Sequence, residues 1–302
     1  MYILNHNRNY SLFLGLLMCS LVSFGQTKKP LTLDDYAQWN KITNTAISPN
    51  GNWVTYSYVP NEGDATLHIK KTEGDTLRTA INGKQVAFSA NSKWVAYLVN
   101  PTKKAAEKLK EAKKPILSDL QLLNLESNKV AEVKNVKGYH FSKTSQFIAI
   151  QKNPMDKKAD HKGSDVLLKD LNKDITLNIG NVANYAFNKE GTLFSYVVDA
   201  NEDDGNGLFL IDLNTLRTYP LHTGKFTYAQ MTWNKKGDRL AALFGTKIDT
   251  LIERENKLYY TSNLSSGMAT AITPNIYAPE GDSNFSKQLT ISNYGKLTLN
   301  SA

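Results

Sequence analysis

Five similar strings recur along this sequence and constrain its fold more than any other feature. Each begins with an apolar or aromatic residue followed by Ser or Asn, continues through a polar turn that usually contains Gly, and ends in an alternating apolar stretch. The strings are Ala46–Tyr58, Val86–Val99, Tyr139–Lys152, Tyr185–Val198 and Met231–Phe244. Measured from the Ser or Asn that opens each turn, the successive spacings are 41, 53, 46 and 46 residues.

A period of about 40 to 50 residues is typical of β-propellers and other repeat arrays, because one unit cannot bury its apolar face and has to stack on neighbours. Each string is interpreted as the two inner strands of a blade, and the segment after it as the two outer strands. In the first unit Thr66–Lys71 and Thr76–Ile81 predict a hairpin, and in the fifth the outer pair is Lys257–Ser262 and Ala269–Ile272. The sequence therefore predicts an all-β protein, with a β-propeller of about five recognisable four-stranded blades over residues 46–287.

The end of the chain departs from this pattern. Asn284–Lys287 resembles the opening of a sixth unit, but residues 288–302 contain no matching turn and alternating strand. We expect an incomplete sixth blade, an atypical tail at 288–302 and an open propeller. An open sheet edge is a liability for a folded protein. We therefore interpret the chain as truncated.

Residues 1–25 are predicted to be a secretory signal peptide. Arg8 lies ahead of an apolar run from Leu12 to Phe24, and Gly25 precedes a plausible cleavage point. The alternatives are a membrane anchor, for which the run is shorter than the roughly 20 residues that span a bilayer, and a lipoprotein at Cys19, which bulky Met18 disfavours. The protein is therefore expected to be periplasmic or secreted. Residues 26–45 are predicted to be a linker and a short helix, in which Thr32 and Asp35 have the spacing of a capping box.

The composition excludes several kinds of protein. The chain of 302 residues is 41% hydrophobic, which is enough for a packed core, and Cys19 is its only cysteine. Removal of the signal leaves no thiol for disulfides, thiolate metal sites or a cysteine nucleophile. No nucleic-acid partner is indicated, because six Lys and two Glu of the aromatic-free segment Pro101–Pro115 supply much of the net charge of +8.

Two connections are longer than a blade needs, at residues 100–118 and 153–165. Long loops of a repeat array gather on one rim, so both are candidate partner surfaces, although plain exposed insertions are the simpler interpretation. The Lys-rich insertion is expected to be a solvated helix or disordered, with docking to a partner or an anionic surface as the alternative.

No catalytic site is predicted in this chain. Serine hydrolases of the α/β type need a G-x-S-x-G turn followed by an acid and a histidine. The nearest string contains Ser283, but it lacks the second glycine and no histidine follows it.

No metal or cofactor site is predicted either. The histidines are scattered without metal-ligand spacing, and His68 and His140 are expected to pack within strands. The acidic string Asp199–Gly205 has its glycine one place late for a calcium loop, so a hairpin turn in the fourth blade is favoured. The repeat aromatics are expected to pack between blades; they are Trp53, Tyr56, Phe88, Trp94, Tyr97, Phe141, Tyr185, Phe187 and Trp233.

The repeats resemble a known family. The strings at Ala46–Tyr56, Phe88–Tyr97 and Trp233–Ala241 are similar to the F-S-P-D-G-K repeat of TolB-like and dipeptidyl-peptidase-type propellers. Together with the export signal, Leu31–Asn40 and the Lys-rich insertion, they resemble the amino-terminal propeller of exported prolyl oligopeptidase family serine peptidases of the Bacteroidetes type. In that family the propeller restricts which peptides reach a carboxy-terminal hydrolase domain.

The resemblance implies two functions of different kinds. The first is a non-catalytic propeller fragment that gates peptide access to a hydrolase domain missing from this chain; no catalytic residue carries over, and the adjacent Glu pair of some dipeptidyl peptidases is absent. The alternative is a stand-alone periplasmic TolB-like propeller. Either would bind peptides or a protein partner through its channel or rim, without a membrane span after signal removal.

Overall fold

The computed structural model describes residues 30–32, 35–36, 39–154, 161–200, 205–246, 254–267, 272–279, 291–292 and 294–300. The chain divides into two units, Met1–Trp39 and Asn40–Ala302. The predicted signal peptide, Ser283 and the start of the sixth unit at Asn284–Lys287 lie outside the described residues. Among the described residues, no helix is long and apolar enough to span a membrane.

The first unit contains the predicted capping pair. The backbone N–H and the hydroxyl of Thr32 both donate to Oδ2 of Asp35, at 2.9 and 2.8 Å. The backbone N–H of Asp35 in turn donates to the carbonyl of Thr32 at 3.1 Å. The chain is helical at residues 35 and 36. The short helix that was predicted from the Thr32–Asp35 spacing therefore begins here.

The second unit is an antiparallel array of strands. Its described strands form three sheets of four, ten and four strands. In each sheet, hydrogen-bonded neighbours are consecutive in the chain. The strands are β1 (Asn40–Ile47), β2 (Trp53–Pro60), β3 (Thr66–Lys71), β4 (Thr76–Ile81), β5 (Gly83–Phe88), β6 (Trp94–Val99), β7 (Ser118–Asn124), β8 (Val130–Phe141), β9 (Phe147–Lys152), β10 (Ser164–Asp170), β11 (Thr176–Phe187), β12 (Leu193–Val198), β13 (Gly207–Asp212), β14 (Arg217–Thr223), β15 (Thr227–Trp233), β16 (Leu240–Thr246), β17 (Glu255–Thr261) and β18 (Asn275–Tyr277).

The strands divide into five four-stranded blades of a β-propeller. The ten-stranded sheet is three blades joined by two long strands, because β8 and β11 each serve as the outer strand of one blade and the inner strand of the next. Val136 in β8 pairs with both Ser118 and Lys152, and Val182 in β11 pairs with both Ser164 and Val198. No described strand pairs the fifth blade with the first, so the described array is open.

One predicted boundary is wrong. Strand β1 begins at Asn40, ahead of the propeller start predicted at residue 46, because this polar strand pairs on one side only and gives no alternating apolar signal. The described outer strand that pairs with β17 is Asn275–Tyr277, and residues 269–271 of the predicted strand Ala269–Ile272 lie outside the described residues. The hairpin predicted at Thr66–Lys71 and Thr76–Ile81 is confirmed residue for residue as β3 and β4.

The repeat turns connect each blade to the next. The third residue after the opening Ser or Asn is in the left-handed region in all five turns: Gly51, Ser92, Ser145, Gly191 and Gly237. The Ser92 hydroxyl accepts from the N–H of Asn50 at 3.1 Å, and the Ser145 hydroxyl accepts from the N–H of Asn91 at 2.9 Å. A Cβ on Gly191 would lie 2.7 Å from the Lys143 nitrogen of the preceding blade. The turns therefore form a continuous chain of contacts along one rim.

The core lies between the blades, and the repeat aromatics pack there as predicted, except Tyr56, which is half-buried and belongs to none of the buried clusters. Trp53, Leu67 and Ile69 of the first blade form one buried cluster with Val95 and Tyr97 of the second. Equivalent clusters fill the other three interfaces. Stacking of the apolar sheet faces is therefore what stabilises the array, because each face is buried only by its neighbour.

The first blade has a face without a described neighbour. Val54 and Tyr56 of β2 are half-buried, whereas their equivalents in the other four blades are buried: Val95, Tyr97, Ile148, Ile150, Phe194, Tyr196, Leu240 and Ala242. Ile42 and Ile47 on β1 are 61% and 70% exposed beside an apolar groove of about 580 Å³. A Cβ on Gly51 would meet nothing within 4 Å. This face has the chemistry of an interface between blades.

The two insertions both connect the second strand of a blade to its third, so they leave the sheets at the same rim. The Lys-rich insertion contains helix α1, Lys103–Glu111, which Thr102 caps at its N-terminus and in which no residue is buried. The predicted solvated helix is therefore present. The second insertion is described only at Asn153, Pro154 and from His161 onward.

Candidate functional site

The inner strands of the second, third and fourth blades carry a set of neighbouring residues, of which Tyr139, His140 and Tyr185 form hydrogen bonds between blades. We call Gln85, Gly138, Tyr139, His140, Asn184 and Tyr185 the inner-strand cluster. These residues lie on β5, β8 and β11, where each blade has its innermost strand. In a propeller the innermost strands surround the central channel. The cluster is therefore placed where a ligand passing through the array would contact the protein.

Tyrosine hydroxyls join the three blades of the cluster. The Tyr139 hydroxyl of the third blade donates to two carbonyls of the second, that of Gln85 and, at 2.7 Å, that of Ala96. Between the third and fourth blades, His140 Nδ1 and the Tyr185 hydroxyl share a hydrogen bond of 3.1 Å. The cluster is thus held in place by contacts between side chains of one blade and groups of the next.

The titratable members of the cluster are neutral at neutral pH. Burial raises the pKa of Tyr139 well above its usual range and raises the pKa of Tyr185 to about 12. Desolvation lowers the pKa of His140 below its usual 6.5, so its ring carries no charge at pH 7. A neutral, hydrogen-bonding surface suits polar uncharged groups such as peptide amides.

A β-bulge distorts the inner strand of every blade. Each pairing of a first strand with its second strand contains a register shift. Four residues before each opening Ser or Asn, at these bulges, stand Asn44, Gln85, Gly138, Asn184 and Gln230. Four of the five are carboxamides. The sequence reasoning missed this set, although an alignment of the five repeats on their turns would have shown it.

The predicted histidine and acidic residues do not come together as a site. His68 stacks on Tyr56 in the first blade with ring centroids 5.1 Å apart, and His222 lies 4.3 Å from the Phe244 ring near the fifth. Both contacts, and the bond of His140 to Tyr185, are the packing roles expected of strand histidines. No group of three or more His, Cys, Asp or Glu among the described residues is arranged to hold a metal ion.

The acidic string after β12 supports the chain locally. Asp199 Oδ2 accepts from the N–H of Lys162 at 3.0 Å, which ties the fourth blade to the end of the second insertion. The backbone N–H of Ala200 donates to Asn206 Oδ1 at 2.7 Å across the loop. The loop joins the paired strands β12 and β13, which is the position expected for the predicted hairpin turn. Residues 201–204 lie outside the described part.

The strand order, the repeated turns and the core between blades define this chain as a β-propeller. No family model matches the sequence, and no curated protein matches it. Among solved structures, it is similar to the β-propeller domain of the Trilobed protease from Pyrococcus furiosus, with 12% identity over 82% of this chain and 73% of that chain and a TM-score of 0.42.

Two further similar structures are longer than this chain. A prolyl endopeptidase is 12% identical over 82% of this chain, with a TM-score of 0.42, and TolB from Acinetobacter baumannii is 11% identical over 79%, with a TM-score of 0.35. The matches cover 37% of the prolyl endopeptidase chain and 58% of the TolB chain. This chain therefore spans less than two thirds of either.

Proposed function

We propose that this chain is the propeller part of an exported prolyl oligopeptidase-like serine peptidase, in which it gates the access of peptides to a hydrolase domain. The inner-strand cluster carries this proposal. It gives three neighbouring blades a neutral surface of hydrogen-bonding groups at the position of the channel, and an unfolded peptide offers a matching series of backbone N–H and C=O groups. The resemblance of the repeats to that family supplies the reaction class.

The open face of the first blade supports the same proposal. Ile42, Ile47 and Tyr56 are exposed or half-buried, whereas the equivalent face is buried in the other four blades. The chemistry of this face suits a further blade that carries the same repeat, as in a propeller larger than the five described blades. The alternative function, a stand-alone TolB-like propeller, requires that the chain cover this face by itself.

The mass and location of the native protein test the proposal. An antibody raised to residues 86–152 is used to probe periplasmic, secreted and cytoplasmic fractions of the cells that make the protein. We expect one band in the periplasmic or secreted fraction, larger than 33.7 kDa by at least a hydrolase domain of roughly 200 to 250 residues. A band at or just below the mass of this chain would contradict the peptidase proposal and favour the stand-alone propeller.

A further inference from the structure

We propose that the inner-strand cluster contains a binding site for the backbone of an extended peptide, formed by the side-chain amides of Gln85 and Asn184 on either side of an open floor at Gly138. The inference rests on the proposed function and specifies the groups that recognise the peptide. It assigns recognition to neutral carboxamides, so it predicts binding that depends little on peptide sequence or on salt.

The backbone of Gln85 is held in an uncommon conformation. Its φ is 50°, in the left-handed region that residues with a side chain rarely adopt, and the bulge residues Asn44 and Gln230 share this conformation. Such strain persists only where the surroundings impose it. Here the hydroxyl of Tyr139 from the next blade holds the Gln85 carbonyl. The bulge thus presents the Gln85 side chain from a fixed backbone.

The bulge carboxamides fall into two groups. Those of the first and fifth blades support the fold: Asn44 Nδ2 donates to the Ser57 hydroxyl at 3.0 Å, and Gln230 Oε1 accepts from the N–H of Leu297 at 2.8 Å. Those of the second and fourth blades, Gln85 and Asn184, are exposed, and their amides have no hydrogen-bond partner among the described residues. These two amides are available to a ligand.

The bulge position of the blade between the two free amides carries no side chain. Gly138 occupies the bulge position of the intervening third blade, and a Cβ placed there would meet nothing within 4 Å. The same blade links both neighbours, through Tyr139 to Gln85 and through His140 to Tyr185, the residue after Asn184. The three blades therefore present amide, glycine and amide side by side along the inner strands.

The chemistry of this arrangement matches a peptide backbone. A carboxamide offers one acceptor and two donors, so it can pair with both the N–H and the C=O of a peptide unit. A glycine floor lets the ligand backbone approach closely, because no side chain stands in the way. Neither feature recognises a particular side chain of the peptide. The site is therefore suited to any extended segment rather than to one sequence.

A photocrosslinking peptide tests the inference on the full chain. The probe is a neutral octapeptide, acetylated and amidated, with Ser, Ala, Pro and Gly around a central p-benzoylphenylalanine. After irradiation, the modified residues are mapped by mass spectrometry, and affinity is measured by competition with the same peptide carrying phenylalanine. We expect crosslinks within residues 84–86, 137–140 and 183–185, with similar yield at 50 and 500 mM salt, since no charge pair is involved.

Variants separate binding from folding. Gln85→Leu and Asn184→Leu should each weaken binding about five- to tenfold, the usual effect of losing a hydrogen bond. Gly138→Val should weaken it more than tenfold by filling the floor. Gln85→Asn, which keeps the amide, should retain part of the affinity. The control is Asn178→Leu, an exposed amide on the outer half of β11, which should bind as the wild type does.

The outcomes are distinct from those of the function test. Crosslinks elsewhere, or wild-type affinity in both leucine variants, overturn the inference. Asn184→Leu keeps the test valid if Gln85→Leu does not fold, because Asn184 is not among the left-handed residues. If the native protein is no larger than this chain but binds the peptide specifically, the site is supported and the peptidase proposal is rejected. If the native protein is a larger peptidase but no crosslinks form at these residues, the peptidase proposal is supported and the site is rejected.

Discussion

Replacing Gly191 with alanine is expected to lower the free energy of unfolding by about 3 kcal/mol, whereas the same change at Gly51 should cost about 1 kcal/mol. Both glycines occupy the same place in a repeat turn, with φ of 74° and 75°. Alanine therefore pays the same backbone strain at either position. The difference arises from the neighbouring blade: the new Cβ at 191 would lie 2.7 Å from the Lys143 nitrogen, and the one at 51 would meet nothing within 4 Å.

Chemical denaturation of the two variants measures this difference directly. Urea midpoints and slopes for wild type, Gly51→Ala and Gly191→Ala give the three unfolding free energies under one condition. Equal losses of about 1 kcal/mol at both positions would show that the turns do not hold neighbouring blades in contact. Equal losses of about 3 kcal/mol would mean that the first turn also has a neighbour.

Replacing Asp212 with alanine is the second change with a large expected effect, a loss of about 3 kcal/mol. Its carboxylate lies at the end of β13 and accepts from the Ser266 hydroxyl and the Gly267 N–H of the fifth blade, both at 2.7 Å, and from the N–H of Asn214 at 3.0 Å. Asp212 is 1% exposed. Alanine leaves these partly buried donors without their acceptor, which costs up to roughly 1–3 kcal/mol for each group left unsatisfied.

The same carboxylate makes stability depend on pH. Burial alone would raise the pKa of Asp212, but the hydrogen bonds from Gly267, Ser266 and Asn214 together lower it below the usual value. Because the folded pKa is lower than the unfolded one, the stabilisation is complete above about pH 4 and is lost as the pH falls through the folded pKa. Wild type should therefore lose stability progressively as the pH falls below about 4.

Asparagine at this position is the matched control for the charge. The second blade has Asn124 at the equivalent place, where Oδ1 accepts from the N–H groups of Glu126 and Ser127 at 3.0 and 2.9 Å. Asp212→Asn should thus lose less stability than Asp212→Ala at pH 7, and it should remove this residue's share of the acid dependence. Parallel acid-dependence curves for wild type and Asp212→Asn would refute this role of the carboxylate.

The regular part of the fold follows from local patterns. The hairpin of β3 and β4 is predictable because Thr66–Lys71 alternates between core and solvent, and Glu73-Gly74-Asp75 supplies a turn. The turns of the five repeats are predictable for the same reason. Their opening Ser or Asn is buried and accepts hydrogen bonds within the turn, as Ser48 Oγ does from the N–H of Trp53 at 3.0 Å.

The inner strands could not be predicted in the same way. A bulge breaks the period-2 pattern, and glutamine at positive φ, as at Gln85 and Gln230, has no local signature, because the constraint comes from contacts with the next blade or the tail. The continuity of β8 and β11 across two blades is likewise a tertiary effect. An alignment of the repeats would have shown the bulge carboxamides, but the hydrogen bonds that join their neighbours across blades are visible only in the structure.

One further signal in the sequence marks the ends of the third strands. The third strands of three blades end in Asn124-Leu125, Asp170-Leu171 and Asp212-Leu213. In each pair the polar side chain caps the following turn, and the leucine N–H donates to a carbonyl in the repeat turn of its own blade. This dipeptide would have fixed the ends of the third strands.

Labelling of the native protein with a fluorophosphonate is the most direct test of the central claim, that this propeller belongs to a serine peptidase. The reagent reacts with the activated serine of serine hydrolases, and the antibody to residues 86–152 isolates the protein. We expect a labelled band larger than 33.7 kDa, with no label after heat denaturation. An isolated protein that is no larger than this chain and carries no label would contradict it.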